Sequence, residues 1–169
     1  MKAYAKFGLL ILLLLVGLVQ GGELLELHQQ LNPTPDTPAG GEVERVGLER
    51  LRCFAGCADY TVIFSADGSF TYDGRYGVER MGRHTGTVSV GRLNQLIAYL
   101  EAVDFMALDV SYSDNFLDGP TVYTMMEKGG EIHVVENYAN NGPATLWAAE
   151  QLLDGLLRDA QWNASTQER

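Results

Sequence analysis

Both cysteines of the chain, Cys53 and Cys57, stand in the stretch RCFAGCADY with three residues between them. Three chemistries use such a pair. A thiol–disulfide centre needs a depressed thiolate pKa, and the usual redox motif has two intervening residues rather than three. A metal site needs further Cys or His ligands, and none lies nearby in the sequence. A structural disulfide needs the chain to reverse, because four residues of extended strand hold the two sulfurs too far apart. Phe54-Ala55-Gly56 fits a three-residue hairpin loop with Gly56 in the left-handed position. The staple is the favoured reading. It would fix the register of two strands and gain only ~2 kcal/mol from loop closure. A thiol–disulfide function at Cys53 and Cys57 stands as an alternative.

Other reactive side chains are scattered. His28, His84 and His133 have no second His or Cys at ligand spacing, so no metal is expected. Asp104, Asp109, Asp114 and Asp118 crowd one segment. Such density can hold calcium, but the alternating spacing and closing Glu of a calcium loop are missing, and turn formation explains the acids. There is no Gly-x-Ser-x-Gly elbow. Glu127 and Glu131 flank a turn, where solvation explains them better than glycosidase chemistry. The glycines cluster at turns, so no phosphate loop and no cofactor are expected. No catalytic residue is assigned. Tyr60, Tyr72, Tyr76, Tyr112 and Tyr123 lie on or beside predicted strands, with Arg52, Arg75, Arg80 and Arg83 near in sequence. Tyr and Arg together suit a binding surface. Arg52, Tyr60, Tyr72, Tyr112, Asp118 and Thr121 are the candidate ligand or partner residues.

The elements that must position these residues follow from periodicity. EVERVGLERLRC alternates loosely up to the first cysteine. In DYTVIFSADGSFTYDG, Tyr60, Val62 and Phe64 alternate with Thr61, Ile63 and Ser65, Asp67-Gly68 makes a turn, and Phe70 and Tyr72 continue on a return strand. A short strand, an exposed turn near Gly82 and another strand over Thr85–Val90 follow. Leu93, Leu96, Ile97, Leu100 and Val103 then recur at helical spacing, predicting a helix over Gly91–Val103. DFMALDVSYSDNFLDGP reads as a loop. TVYTMMEKGGEIHVVENY is a second hairpin turning at Lys128-Gly129-Gly130. Pro143 opens a second helix whose wide apolar face holds Leu146, Trp147, Ala149, Leu152, Leu153, Leu156 and Leu157. The predicted fold is α+β: a mainly antiparallel sheet of hairpins with two amphipathic helices on one face, a two-layer sandwich.

The chain has 169 residues and a net charge of -10. Lys2, Lys6, an apolar run over Phe7–Val19 and small residues at Gly21 and Gly22 read as an export signal over 1–21. An uncleaved anchor is the alternative, and through it alone would the protein meet a membrane. Residues 22–42 are a linker rich in Pro and Gly. The domain spans 43–162, and 163–169 is a polar tail. Loss of the signal takes the charge to about -12, which disfavours nucleic acid and anionic membranes.

CFAGCADYTVIFSADGSFTYDG resembles the opening of a bacterial family known as domain of unknown function 6438. That family shows a Cys-Phe-Gly-x-Cys-Pro-x-Tyr element, a strand, an Asp-Gly turn and a Tyr-x-Gly return. Cys53, Phe54, Cys57, Tyr60, Asp67, Gly68, Tyr72 and Gly74 match it. YSDNFLDGPT is similar to a later Tyr…Asp-x-Pro-Thr element through Tyr112, Asp118, Pro120 and Thr121, and Trp162 to a closing tryptophan. Ala58 replaces the proline, and the cysteine loop reads Phe-Ala-Gly. The resemblance implies an exported bacterial protein and no activity. The expectation is a non-enzymatic binding module in the periplasm or secreted, with an envelope protein or small ligand as partner. A hydrolase built around the Asp118 loop is a further alternative.

Overall fold

The computed structural model describes residues 42–113 and 118–164. The predicted export signal, the linker up to residue 41, His28, Asp114 and the tail beyond residue 164 lie outside them. Among the described residues eight strands form one sheet: β1 Val43–Leu51, β2 Asp59–Ser65, β3 Ser69–Tyr76, β4 Gly82–Thr87, β5 Ser111–Tyr112, β6 Thr121–Lys128, β7 Glu131–Tyr138 and β8 Gln161–Trp162. Their spatial order is β5-β7-β6-β1-β2-β3-β4-β8. Every pairing is antiparallel except β5 with β7. Two helices, α1 Val90–Ala102 and α2 Ala144–Arg158, complete an α+β fold.

Each hairpin is closed by the turn chemistry its sequence carries. Gly68 has φ +85° between β2 and β3. Beside it, Asp67 Oδ1 accepts from the Ser69 amide at 2.9 Å and from its hydroxyl at 2.6 Å. Those bonds hold the Asp67 carboxyl below its ordinary pKa. Gly129 and Gly130, both at positive φ, turn β6 into β7. Ser89 caps α1 through its hydroxyl, which accepts from the Arg92 amide, relieving one orphan donor of the first turn.

Alternation along the strands sorts the side chains to two faces. Val46, Leu48 and Arg50 pair with Phe64, Val62 and Tyr60 on one side and with Met126, Thr124 and Val122 on the other. All but Arg50 are buried. Leu93, Leu96, Ile97 and Leu100 of α1 and Leu146, Ala149, Leu153 and Leu156 of α2 belong to the same buried cluster. Trp147 and Leu152 do not: they are 50% and 46% exposed. The buried stripe of α2 is narrower than the sequence suggests, and both residues fall off its flanks.

Three further elements depart from expectation. Gly82 opens β4 instead of sitting in the turn, so the strand runs over Gly82–Thr87 rather than Thr85–Val90. The predicted loop after α1 contains a 3-10 turn, Phe105–Ala107, and the short strand β5. Fully buried Phe105 anchors that turn, which is a packing effect and not a local propensity. Trp162 closes the sheet as part of β8, paired through Gly86 with β4.

Cys53 and Cys57 form a disulfide, with Cα atoms 5.1 Å apart. The reversal between them is a turn in which the Gly56 amide donates to the Cys53 carbonyl at 3.1 Å and Gly56 takes φ +85°. The bridge lies beyond the last ladder pair of β1 and β2, Arg50↔Tyr60. It therefore ties the loop in line with their register without belonging to the ladder. Phe54 at the loop tip is 92% exposed.

Candidate functional site

A polar cluster sits on the buried face beneath α2. On a 3.6-residue repeat, Leu146, Glu150, Leu153, Asp154 and Leu157 share one side of the helix, so two carboxylates enter the apolar stripe. Asp154 Oδ2 accepts from Arg50 Nη2 at 2.6 Å and from Nε at 3.1 Å. Its Oδ1 accepts from the Tyr60 hydroxyl. Burial, together with the Asp154 charge, pushes the Tyr60 phenol well above its ordinary pKa, so it remains a donor. This cluster joins β1, β2 and α2 at one point.

Glu150 is fully buried. Its Oε1 accepts from Asn137 Nδ2 at 2.8 Å. Its Oε2, like Thr124 Oγ1, has no hydrogen-bond partner among the described residues. Burial raises the Glu150 pKa above its ordinary 4.5, outweighing the Asn137 bond and the charge of Arg50. The folded protein thus holds this proton more tightly than the unfolded chain, and the carboxylate loses stability as pH rises above the ordinary carboxyl range. Glu150→Gln is expected to raise the Tm at about pH 7 and to flatten its decline from about pH 4 upward. Thermal melts across that range check this, and a lower Tm at neutral pH in Glu150→Gln would refute it.

Past this cluster, where α2 ends, a cleft of about 480 Å³ opens between the helix and the β3–β4 connection. Tyr60, Tyr72, Val78, Glu79, Arg80, Leu157, Arg158 and Trp162 line it. Trp162 meets Tyr72 edge-to-face at 5.2 Å, and the Arg80 guanidinium lies 4.6 Å from the Trp162 ring centre. Gly74 makes this possible. A side chain there would run into the Arg80 carbonyl, 2.0 Å from where its Cβ would sit.

The opposite face of the sheet is organised in rows by the register. One row runs Val134, Met125, Gly47, Ile63, Thr71, Thr85 across β7, β6, β1, β2, β3 and β4. Gly47 leaves space that Met125 and Ile63 fill, each within 3.4 Å of its absent Cβ. Charged groups flank the row. On one side Arg45 pairs with Glu127. On the other, Arg75 binds Asp59 at 2.6 Å, Thr61 at 2.7 Å and Glu49 at 2.8 Å. A groove of about 620 Å³ over β2, β3 and β4 is lined by Thr61, Ile63, Thr71, Asp73, Arg83, Thr85 and Asn163, among others.

A family model described as domain of unknown function (DUF6438) matches residues 44–157. The chain belongs to DUF6438. No curated protein matches it, and neither does any solved structure. In this DUF6438 chain several of the residues that carry the resemblance act on the fold. Cys53 and Cys57 bridge, Gly68 makes the first turn, and Gly74 admits the β3–β4 connection. Among the described residues, no group of three His, Cys, Asp or Glu could hold a metal. None of their helices is long and apolar enough to cross a membrane.

The six candidate residues do not form one surface; of them, Tyr60 and Tyr72 meet, stacked in the lining of the cleft. Tyr60 and Tyr72 lie on the buried face, 8% and 7% exposed. They share it with Val62, Phe64 and Phe70 because strand alternation puts them there, so they are no part of an open sheet surface. Arg52 stacks 4.0 Å over the Tyr76 ring. The Tyr112 hydroxyl accepts from the Asp109 amide. Asp118 is exposed in a left-handed turn with φ +61°, and Thr121 begins β6. Sequence reasoning missed Asp154, Glu150 and the Arg80–Trp162 stack. The first two were visible as acids inside an apolar helical stripe. The third carried no local signal.

Proposed function

We propose that this chain is an exported, non-enzymatic binding module of the bacterial envelope. In this reading it is a two-layer sandwich. Helices α1 and α2 cover the face that carries Val46, Leu48, Val62 and Phe64, and the other face receives a protein partner. The observation that carries it is the apolar row of Val134, Met125 and Ile63 bordered by the Arg45–Glu127 and Arg75–Asp59–Glu49 groups. An apolar centre with a charged rim is the anatomy of protein interfaces. Ile132 and Val134 extend the apolar part and are 56% and 41% exposed. The disulfide and the N-terminal sequence support export into an oxidising compartment.

Photo-crosslinking in envelope preparations tests this. A crosslinker at Val134 is expected to trap one defined protein that a crosslinker at Gln151, exposed on α2, does not. Met125→Asp, with its Tm near wild type, should abolish the product. The same products from both positions, or persistence in Met125→Asp, would overturn the reading. A product of doubled mass lost in Met125→Asp would assign the face to self-association and overturn a foreign partner.

A further inference from the structure

The cleft at the end of α2 brings two arginines to one set of aromatic walls. The protein is acidic, with a net charge of -10. Among the described residues Arg45, Arg50, Arg75, Arg92 and Lys128 each sit in an ion pair with a carboxylate. Arg52, Arg80, Arg83 and Arg158 form no ion pair with a described carboxylate, and two of these, Arg80 and Arg158, line this one cleft. Arg158 is in the last turn of α2, where the helix carbonyls favour a cation. That accounts for its tolerance there. Its guanidinium lies over Gly155, with Nη2 3.2 Å from where a Cβ would sit. It makes no hydrogen bond to a described residue, so it is free to turn toward an anion at the cleft rim. Arg80 is held against Trp162 by its ring face, an arrangement that keeps its edge donors available.

The walls of the cleft are flat and apolar. Trp162 and Tyr72 meet edge-to-face, Tyr60 stacks on Tyr72 at 5.5 Å, and Val78 and Leu157 complete the lining. The Tyr60 hydroxyl is used up by Asp154. The Tyr72 ring is buried, with the residue 7% exposed, and its hydroxyl makes no hydrogen bond to a described residue and reaches the cleft. One acid, Glu79, lines the same cleft and opposes two arginines. The volume, about 480 Å³, lies in the range of small-molecule sites.

We infer that this cleft binds a small organic anion: a carboxylate on a flat apolar body, its charge between Arg80 and Arg158 and its body against Trp162 and Tyr72. The site is on the helix-bearing side of the sheet and does not depend on the open face taking a protein.

Benzoate is the probe, with neutral benzamide as its isostere. The readout is the Trp162 indole N–H resonance in a two-dimensional amide spectrum of the full domain. Trp147→Phe leaves Trp162 as the single tryptophan of the two in the chain. Benzoate should shift this resonance saturably. Benzamide should need about tenfold higher concentration, as expected for loss of a charge-assisted hydrogen bond. Arg158→Gln, at an exposed position, should weaken benzoate by about the same factor while benzamide is unchanged. Tyr72→Phe should weaken both. Met125→Asp on the open face should leave the titration as in the parent. An absent or non-saturable shift would overturn the inference, as would equal response to benzamide or an unchanged benzoate affinity in Arg158→Gln.

Discussion

Asp154→Ala is expected to cost about 2–3 kcal/mol and to lower the Tm by roughly 10 °C. One carboxylate serves two partners from two strands: the Arg50 guanidinium, with its shortest bond at 2.6 Å, and the Tyr60 hydroxyl. Its removal leaves Arg50, 20% exposed, facing Glu150 across an incomplete pairing, and leaves a nearly buried phenol without an acceptor. A fully buried pair broken on one side costs more. The Asp154 side chain is 31% exposed, so solvent compensates part of the loss. Asp154→Asn keeps an acceptor for Tyr60 and loses the charge, so it should fall between the two. Denaturant melts with both variants check the order. A Tm change under about 3 °C in Asp154→Ala would show that the cluster is solvated in practice and contributes little. Tyr60 adds an alkaline limit. Its folded pKa is raised above the ordinary 10.0, so the stability tied to its protonated form is present below that value and is lost as pH rises beyond it.

Gly74→Ala is expected to destabilise by about 3 kcal/mol, through a steric route. The new Cβ would fall 2.0 Å from the Arg80 carbonyl and 2.8 Å from Val78 Cγ2. The first of these is backbone, which cannot rotate away. The β3–β4 connection must lift, and Arg80 leaves the Trp162 ring with it. The variant should therefore also alter the Trp162 indole resonance. Gly82→Ala is the control. Gly82 has φ +80° but open space around it, so only backbone strain of about 1 kcal/mol is expected. Equal melts for the two variants would refute the steric argument.

The hairpins were legible because their turns are written locally. Asp67-Gly68 and Gly129-Gly130 sit where positive φ is needed, and the alternation of Tyr60, Val62 and Phe64 names a face. The same alternation places Tyr60 and Tyr72 in the core, against their candidacy as an open surface. Which face would be buried depended on where the helices went. Helix α1 was legible to within a residue because Leu93, Leu96, Ile97 and Leu100 form a clean stripe. Helix α2 was less so, since Trp147 and Leu152 mimic a wider one.

By itself the sequence determined the disulfide loop, the hairpin turns at Asp67-Gly68 and Gly129-Gly130, the two helices of the described residues, the α+β class and membership of DUF6438. Each of these rests on residues close together in the chain, where spacing alone restricts the geometry. Only the tertiary structure decided that Arg50 and Tyr60 share Asp154, over separations of 104 and 94 residues. The same holds for Trp162 closing the sheet at β4 and for the cleft in which Tyr72, Arg80 and Arg158 meet. Contacts of that range depend on strand order and helix placement. Those follow from the burial of the whole apolar surface at once, and no local pattern encodes them.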